Sequence, residues 1–475
     1  MGSLSTKHIE ISSLDEHGYN ICKILRDHSK QCYIVGGAVR DAMLGKTPSD
    51  IDFATDARPE EMKEIFENAG CKVYPTGEKY GTVTVTCDDI NYYEITTFRG
   101  EKYRRGSRKP EIYFSKSIYE DLKRRDFTIN AMAYDPIEKV LIDPFDGAKD
   151  LETRTIRAVD DAEERFAEDP LRMLRMCRFY SVIDGNIDSE TFTQAKRMKD
   201  SLAWIPKERI RDELIKALEK SEKPSKFVEC IVEARLNDYV VPELYDLVGL
   251  EQPPQHHMYD AYRHTLESVD NAKRTIVRLA ALLHDIGKPK TKTIKNGRIM
   301  FPGHAEVSAE MSGKIMRRLR FPNKDIRDVK ELVRYHMFLW STGKTALENR
   351  KVRLRFLRAL TDEGERTDRI DKLEELMRAD AIAKGKDYEE DLELVSEFFS
   401  TLREDLKKYP VSRKQLAISG RDIVREFGVE GPIVGDTLEY LLNKVWERPE
   451  ANNREDLKKI AYNYLKSRGA LKKSF

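Results

Sequence analysis

The chain has 475 residues, of which 40% are hydrophobic and 35% charged, and its formal net charge is +1. It is too long for one compact core and should divide into three or four units. The composition is that of a globular chain rich in charged helices, not of a disordered or membrane one. No run is apolar enough to span a membrane, and a near-neutral total leaves nucleic-acid binding open because charge can be concentrated locally. The cysteines at 22, 32, 71, 87, 177 and 230 show neither CxxC pairing nor metal-ligand spacing, which predicts reduced thiols and a cytoplasmic location.

In chain order, residues up to about 155 mix short β-type runs (YIVGG, TVTVTC, YYEITTF, AMAYD, LIDPF) with helical stretches, as in a compact α/β head. Within it, YIVGGAVRDAMLGKTPSDIDFAT runs from a buried strand through a turn at Gly36 and Gly37 into a helix whose free N–H groups can face an anion. Asp50 and Asp52 flank Ile51 in the next predicted strand, so both carboxylates emerge on one face. Such a pair can hold two Mg²⁺ ions and serve nucleotidyl transfer.

Further on, Arg99, Lys102, Arg104, Arg105, Arg108, Lys109, Lys116, Lys123, Arg124 and Arg125 outnumber the acids around them. A second basic group, Lys458, Lys459, Lys466, Arg468, Lys472 and Lys473, lies near the tail. Either could hold a phosphate backbone. RRDFTINAMAYD spaces Asp126 and Asn130 four apart behind Arg125, a carboxylate and an amide suited to ribose hydroxyls. EDPLRMLRMCRF places Arg172, Arg175 and Arg178 on one helix face beside Asp169. An Asp and an Arg side by side can pair with an exocyclic amine next to a ring-nitrogen acceptor, the edge shown by cytosine and adenine but not by guanine or uracil. Mispairing costs roughly 1–3 kcal/mol per group.

These segments, with DPFDGAKDL and IPKERIRDELIKAL, follow in order the five head-and-neck motifs that the chain resembles, those of bacterial class II CCA-adding tRNA nucleotidyltransferases. The resemblance implies that Asp50 and Asp52 bind the metals, that Gly36, Gly37 and Arg40 hold the triphosphate, and that Arg125, Asp126 and Asn130 recognise the ribose. It implies that Asp169 and Arg172 serve as an amino-acid template for CTP and ATP, with Arg175 and Arg178 on the same face. Glu208, Arg209 and Arg211 look like the supporting neck motif, and Glu94 is a candidate third carboxylate. The implied partners are CTP, ATP and the acceptor arm and elbow of tRNA. One departure is the loop YRRGSRKP, which has Arg105 where the family usually has aspartate and is one residue longer across Arg104–Lys109. An A-adding enzyme of a split pathway and a poly(A) polymerase are the nearest alternatives.

After about residue 160 the pattern is helical throughout. Six of the nine histidines fall between 256 and 336. LAALLHDIGK sets His284 and Asp285 in an apolar helix, with His264, His304, His336 and Asp380 in neighbouring segments. Ionisable pairs in such a setting are costly unless a metal or a partner compensates. The set resembles the HD superfamily of metal phosphohydrolases. That resemblance implies a divalent transition metal held by His264, His284, Asp285 and Asp380, with His304 and His336 as the extra pair of two-metal versions, and phosphatase or cyclic-phosphodiesterase activity on RNA ends. The expected architecture is α+β: a nucleotidyltransferase head with a mixed sheet (1–155), an all-α neck (156–222), an HD body (223–395) and a small helical tRNA-binding tail (396–475).

Overall fold

The structure, a computed structural model, describes residues 6–48, 50–102, 111–255 and 257–471. The loop at Arg104–Lys109 and the lysines at 472 and 473 lie outside these residues. Contacts divide the chain into two compact units, Met1–Pro242 and Glu243–Phe475.

The first unit is built on an eight-stranded mixed sheet. In chain order its elements are β1 (Thr6–His8), α1 (Ser12–Asp27), β2 (Cys32–Val35), α2 (Gly37–Met43), β3 (Asp52–Thr55), α3 (Pro59–Asn68), β4 (Lys72–Gly77), β5 (Thr82–Thr86) and β6 (Tyr93–Thr97). A separate two-stranded ribbon, β7 (Arg99–Lys102) and β8 (Glu111–Phe114), precedes α4 (Ile118–Lys123), β9 (Ala133–Asp135), β10 (Val140–Ile142) and α5 (Gly147–Glu152). The sheet order is β1-β10-β9-β2-β3-β6-β5-β4, and only β3 and β6 run parallel. Its centre is closed by apolar residues: Val35, Ala54, Phe98, Leu122 and Ala133 form one buried cluster. All five β-type runs seen in the sequence are strands.

The neck follows as β11 (Thr155–Ile156), α6 (Ala162–Glu168), α7 (Leu171–Ile183), β12 (Asn186–Ile187), α8 (Ser189–Arg197), α9 (Lys207–Lys220) and α10 (Ser225–Glu233). Past the expected neck boundary at 222, α10 packs on α7 and the Ser181 hydroxyl donates to the Lys223 carbonyl at 3.0 Å. One expectation fails here. The cysteines are not free thiols: they meet as Cys22–Cys32, Cys71–Cys87 and Cys177–Cys230, all in this unit. The partners are 10, 16 and 53 residues apart and are brought together by packing of nonadjacent segments, so no local motif announces them.

The second unit is helical: α11 (Ala261–Asn271), α12 (Thr275–Leu283), α13 (Lys288–Thr291), a small hairpin of β13 (Thr293–Lys295) and β14 (Arg298–Met300), α14 (His304–Arg318) and α15 (Asn323–Tyr335). That hairpin and strand β12, which pairs back to β11, correct the expectation that everything past 160 is helical. The predicted body–tail boundary at 395 falls inside the helix Glu389–Lys408, which packs on the helix Asp368–Ile382. The last helices enclose a buried Trp446, whose indole N–H donates to the Pro410 carbonyl at 2.7 Å. Among the described residues no helix is long and apolar enough to cross a membrane.

Candidate active sites

In the first unit, β2 ends in a turn at Gly36 with φ +70°. A Cβ there would lie 2.5 Å from Arg125 Nη1, the far end of a side chain that can move aside, so it is the conformation that favours glycine. Arg40, one turn into α2, donates to Asn130 Oδ1 at 2.6 Å, and the Asn130 amide donates to Asp126 Oδ1 at 3.0 Å. Asp126 and Asn130 thus meet as the sequence spacing suggested, but across a 3₁₀ turn (Thr128–Asn130) and not along an α-helix. The DPFDGAKDL segment holds this turn: Asp150 accepts from the Thr128 hydroxyl at 2.7 Å, and a Cβ at Gly147 would come within 2.2 Å of the Thr128 carbonyl. Asp121, buried beneath, accepts from Arg124 (2.7 Å) and Arg125 (3.2 Å). Burial alone would raise its pKa, but the two guanidiniums lower it below the ordinary value.

Asp52 opens β3, registered beside Val35 of β2 and Glu94 of β6, and Asp50 lies two residues ahead of the strand, not within it. Both side chains are exposed. Enclosure by surrounding protein raises the Asp52 pKa, Arg125 opposes that rise, and Glu94 and Asp50 add to it. Neighbouring carboxylates that raise one another's pKa are a setting in which a hard divalent cation would be welcome.

α7 supplies the opposite wall. Asp169 accepts from the Leu171 amide at 3.1 Å, so it does cap the helix turn, and it also takes Arg209 of α9 at 2.6 Å. Arg172 is held by Glu168 Oε2 (2.6 Å) and by the carbonyls of Arg124 (2.8 Å) and Arg165 (3.1 Å). Arg175 pairs with Asp126 at 2.5 Å, and Asp126 is ionised well below the usual range: burial opposes this, while Arg175 and Asn130 outweigh it. A cleft of about 570 Å³ gathers Gly36, Gly37, Arg40, Asp52, Arg125, Asp126, Asn130, Asp169, Arg172 and Arg175. Arg178 does not line it; its guanidinium is buried against Glu213 of α9 at 2.6 Å. The cleft also includes Phe179, which the motifs did not single out, with the guanidiniums of Arg40, Arg175 and Arg178 at 5.0, 5.4 and 4.2 Å from its ring. Its position four residues after Arg175 was the available signal.

In the second unit four histidines share one arrangement. The Nδ1 atoms of His264, His284, His304 and His336 lie 3.1, 2.7, 2.8 and 2.6 Å from the backbone carbonyls of Ala383, Ala281, Phe301 and Val333. Donation there leaves each Nε2 as a bare acceptor. Those acceptors converge: His264 and His284 stand 3.3 Å apart, as do His304 and His336. Asp380 Oδ1 lies 2.9 Å from His264, and Asp285 lies 3.2 Å from His284 and 3.4 Å from His304. Facing lone pairs repel unless a cation lies between them, so the donor set fits a divalent metal of the kind imidazole prefers. The electrostatics agree: burial opposes charge on His284, yet Asp285 and Asp380 raise its pKa to about 10, a demand for positive charge that a proton or a metal ion can meet. Subsets His264–His284–Asp380 and His284–Asp285–His336 each bring their ligand atoms within 4.8 Å. Lys288, 2.6 Å from Asp285 and 2.5 Å from Gln252, is a buried neighbour that the histidine count did not reveal.

The segments that carry both constellations resemble known proteins. A CCA-adding enzyme of Ligilactobacillus salivarius is 33% identical over 441 residues, which cover 92% of this chain and 93% of that one. The chain belongs to the CCA-adding enzyme family. The Staphylococcus aureus family member is 42% identical over 207 residues, 43% of this chain and 50% of its own. The crystal structure of the Bacillus stearothermophilus CCA-adding enzyme in complex with CTP matches with a TM-score of 0.70 at 26% identity, covering 96% of this chain and 98% of that one. Family models match in three places: the Poly A polymerase head domain at 32–157, the probable RNA and SrmB- binding site of polymerase A at 186–247, and the HD domain at 256–376. The fold class read from the sequence, a mixed-sheet head followed by helical and HD regions, is that of this family.

Proposed function

We propose that the chain adds C, C and A to the 3′ end of tRNA from CTP and ATP, without a nucleic-acid template. The observation that carries this is the single cleft joining Asp52, the Gly36 turn, the Asp126–Asn130 turn and the Asp169–Arg172 pair. In this reading Gly36, Gly37 and Arg40 bind the triphosphate, and Arg125, Asp126 and Asn130 bind the ribose. Asp169 accepts from the exocyclic amine of C or A while Arg172 donates to the ring nitrogen. Asp50 and Asp52, with Glu94 beside them, would hold two Mg²⁺ ions, which supply the charge that activates the terminal hydroxyl and stabilises pyrophosphate. Glu168 fixes the Arg172 guanidinium in its plane, and Arg209 fixes the Asp169 carboxylate. The structure of the Bacillus relative with CTP and the names of the relatives support this reading.

In the second unit the proposed activity is hydrolysis of phosphate esters at RNA ends. Water adds to phosphorus of a 2′,3′-cyclic phosphate, one ring P–O bond breaks, and the proton passes to the departing ribose oxygen. The six ligands His264, His284, Asp285, His304, His336 and Asp380 would hold a divalent transition metal, which supplies the activated water. Opening the ring at the 3′ oxygen leaves a 2′-phosphomonoester and frees the 3′-hydroxyl that the head extends; opening it at the 2′ oxygen leaves a 3′-phosphomonoester that a second hydrolysis must remove as inorganic phosphate.

The test is extension of tRNA transcripts lacking the final three, one or none of their nucleotides, each nucleotide triphosphate being supplied in turn. Ordered C, C, A addition is expected. Addition of A alone, or of long A runs to any RNA, favours the split-pathway or poly(A) polymerase alternative, whose head model matches 32–157.

A further inference from the structure

The two halves of the histidine cluster are linked by the β13–β14 hairpin, which none of the chemistry above uses. Its strands pair Thr293 with Met300, Ile294 with Ile299 and Lys295 with Arg298. The loop is Asn296–Gly297, with φ of 51° and 73°, as a two-residue type I′ turn requires. Both ends are anchored at the site. Lys288, 2.6 Å from Asp285, opens the short helix leading into β13, and the Phe301 carbonyl just past β14 lies 2.8 Å from His304 Nδ1. The hairpin therefore rises from the rim of the ligand cluster.

Its charge is one-sided. From Gly287 to Gly303 there is no acidic residue. Lys292, Lys295 and Arg298 are exposed, and none is ion-paired among the described residues. Lys295 and Arg298 sit directly opposite each other, a like-charge pair that destabilises a hairpin unless an anion lies between. Lys292 and Lys295 are three residues apart, about 10 Å along extended chain, more than one phosphate can touch. Ile294 is 69% exposed and Met300 41%, apolar area that a merely solvating charge run does not need.

We infer that the hairpin 293–300 grips the backbone of an RNA strand whose terminal phosphate ester enters the histidine–aspartate site. The site then acts on polynucleotide ends in preference to free mononucleotides. The inference rests on the phosphohydrolase reading given above.

The experiment uses the full chain carrying Lys292→Ala, Lys295→Ala and Arg298→Ala together, with a Lys295→Arg variant as the charge-preserving control. The substrates are a short oligoribonucleotide ending in 2′,3′-cyclic phosphate and 2′,3′-cyclic AMP. The triple variant should raise KM for the oligonucleotide about tenfold and lower the salt dependence of its kcat/KM by a slope of about 2, roughly 0.7 for each phosphate no longer neutralised. KM for cyclic AMP should stay unchanged, and Lys295→Arg should behave as wild type. Equal effects on both substrates, no effect on either, or retained oligonucleotide binding with weakened binding to phosphatidylglycerol vesicles would each overturn the grip. If the wild type hydrolyses neither substrate, the phosphohydrolase reading fails by itself. Fluorescence anisotropy of the same oligonucleotide on wild type and triple variant then decides the grip independently: weaker binding by the variant supports it, and equal binding ends it.

Discussion

Asp169 shares its carboxylate between the Leu171 amide and Arg209, and only the second partner is a side chain that mutation can remove cleanly. Arg209→Ala should leave α7 folded but free the carboxylate to reorient, so discrimination should suffer before chemistry does. We expect misincorporation of UTP or GTP to rise about tenfold, the equivalent of roughly 1–3 kcal/mol for one mispaired group, with a smaller change in CTP turnover. Single-nucleotide incorporation assays on a tRNA transcript check this, and unchanged C and A selectivity would reduce Arg209 to a surface contact. Asp52, Asp126 and Asp169 were legible because they sit in ordered motifs, and it was the resemblance those motifs carry, more than residue types alone, that suggested their roles. Arg178 was harder. On a helix wheel it shares the face of Arg172 and Arg175, and only the tertiary position of Glu213 turns it inward.

That buried pair is also what fastens one neck helix to another. Arg178 and Glu213 are each nearly inaccessible, and truncating one leaves the other charged and unpaired. Arg178→Ala or Glu213→Ala should cost about 3–5 kcal/mol, while the double change Arg178→Met with Glu213→Leu should recover most of it; urea denaturation curves of the three variants distinguish these outcomes. A second brace, at α4, responds to acid. The folded pKa of Asp121 is depressed, so its contribution is present above the unfolded value of about 3.9 and is lost as pH falls through the lower folded value. The stability gap between wild type and Asp121→Asn should therefore be constant near neutrality and shrink below about pH 4, as thermal melts over that range would show. A gap independent of pH would remove Asp121 from the brace. The central strands were legible because alternation and β-branched residues mark them. The β13–β14 hairpin was not, since three-residue strands are too short to show a period, and only the Asn296–Gly297 pair signalled it.

At the level of the molecule, the cleft of Asp52 and the histidine–aspartate cluster belong to two compact units. His284→Ala or Asp285→Ala should abolish ester hydrolysis and spare nucleotide addition, and Asp52→Ala should do the reverse. Parallel assays of both products on every variant test this, and loss of both activities in any single variant would show the sites to be coupled. The three cysteine pairs add an asymmetry of another kind. All six sulfurs lie in the first unit, where closed loops of 10, 16 and 53 residues restrict the unfolded chain, by about 3 kcal/mol for the shorter two and about 4 for the longest. A thiol reductant should therefore lower the melting transition of the first unit and leave the second unmoved, whereas a strong chelator should act on the second; calorimetry with each additive separates them, and a reductant-insensitive first transition would mean that the pairs are open in solution. One polypeptide would then report two features of its surroundings separately, with electron supply read by the half that holds the cysteine pairs and trace-metal supply by the half that holds the histidine cluster.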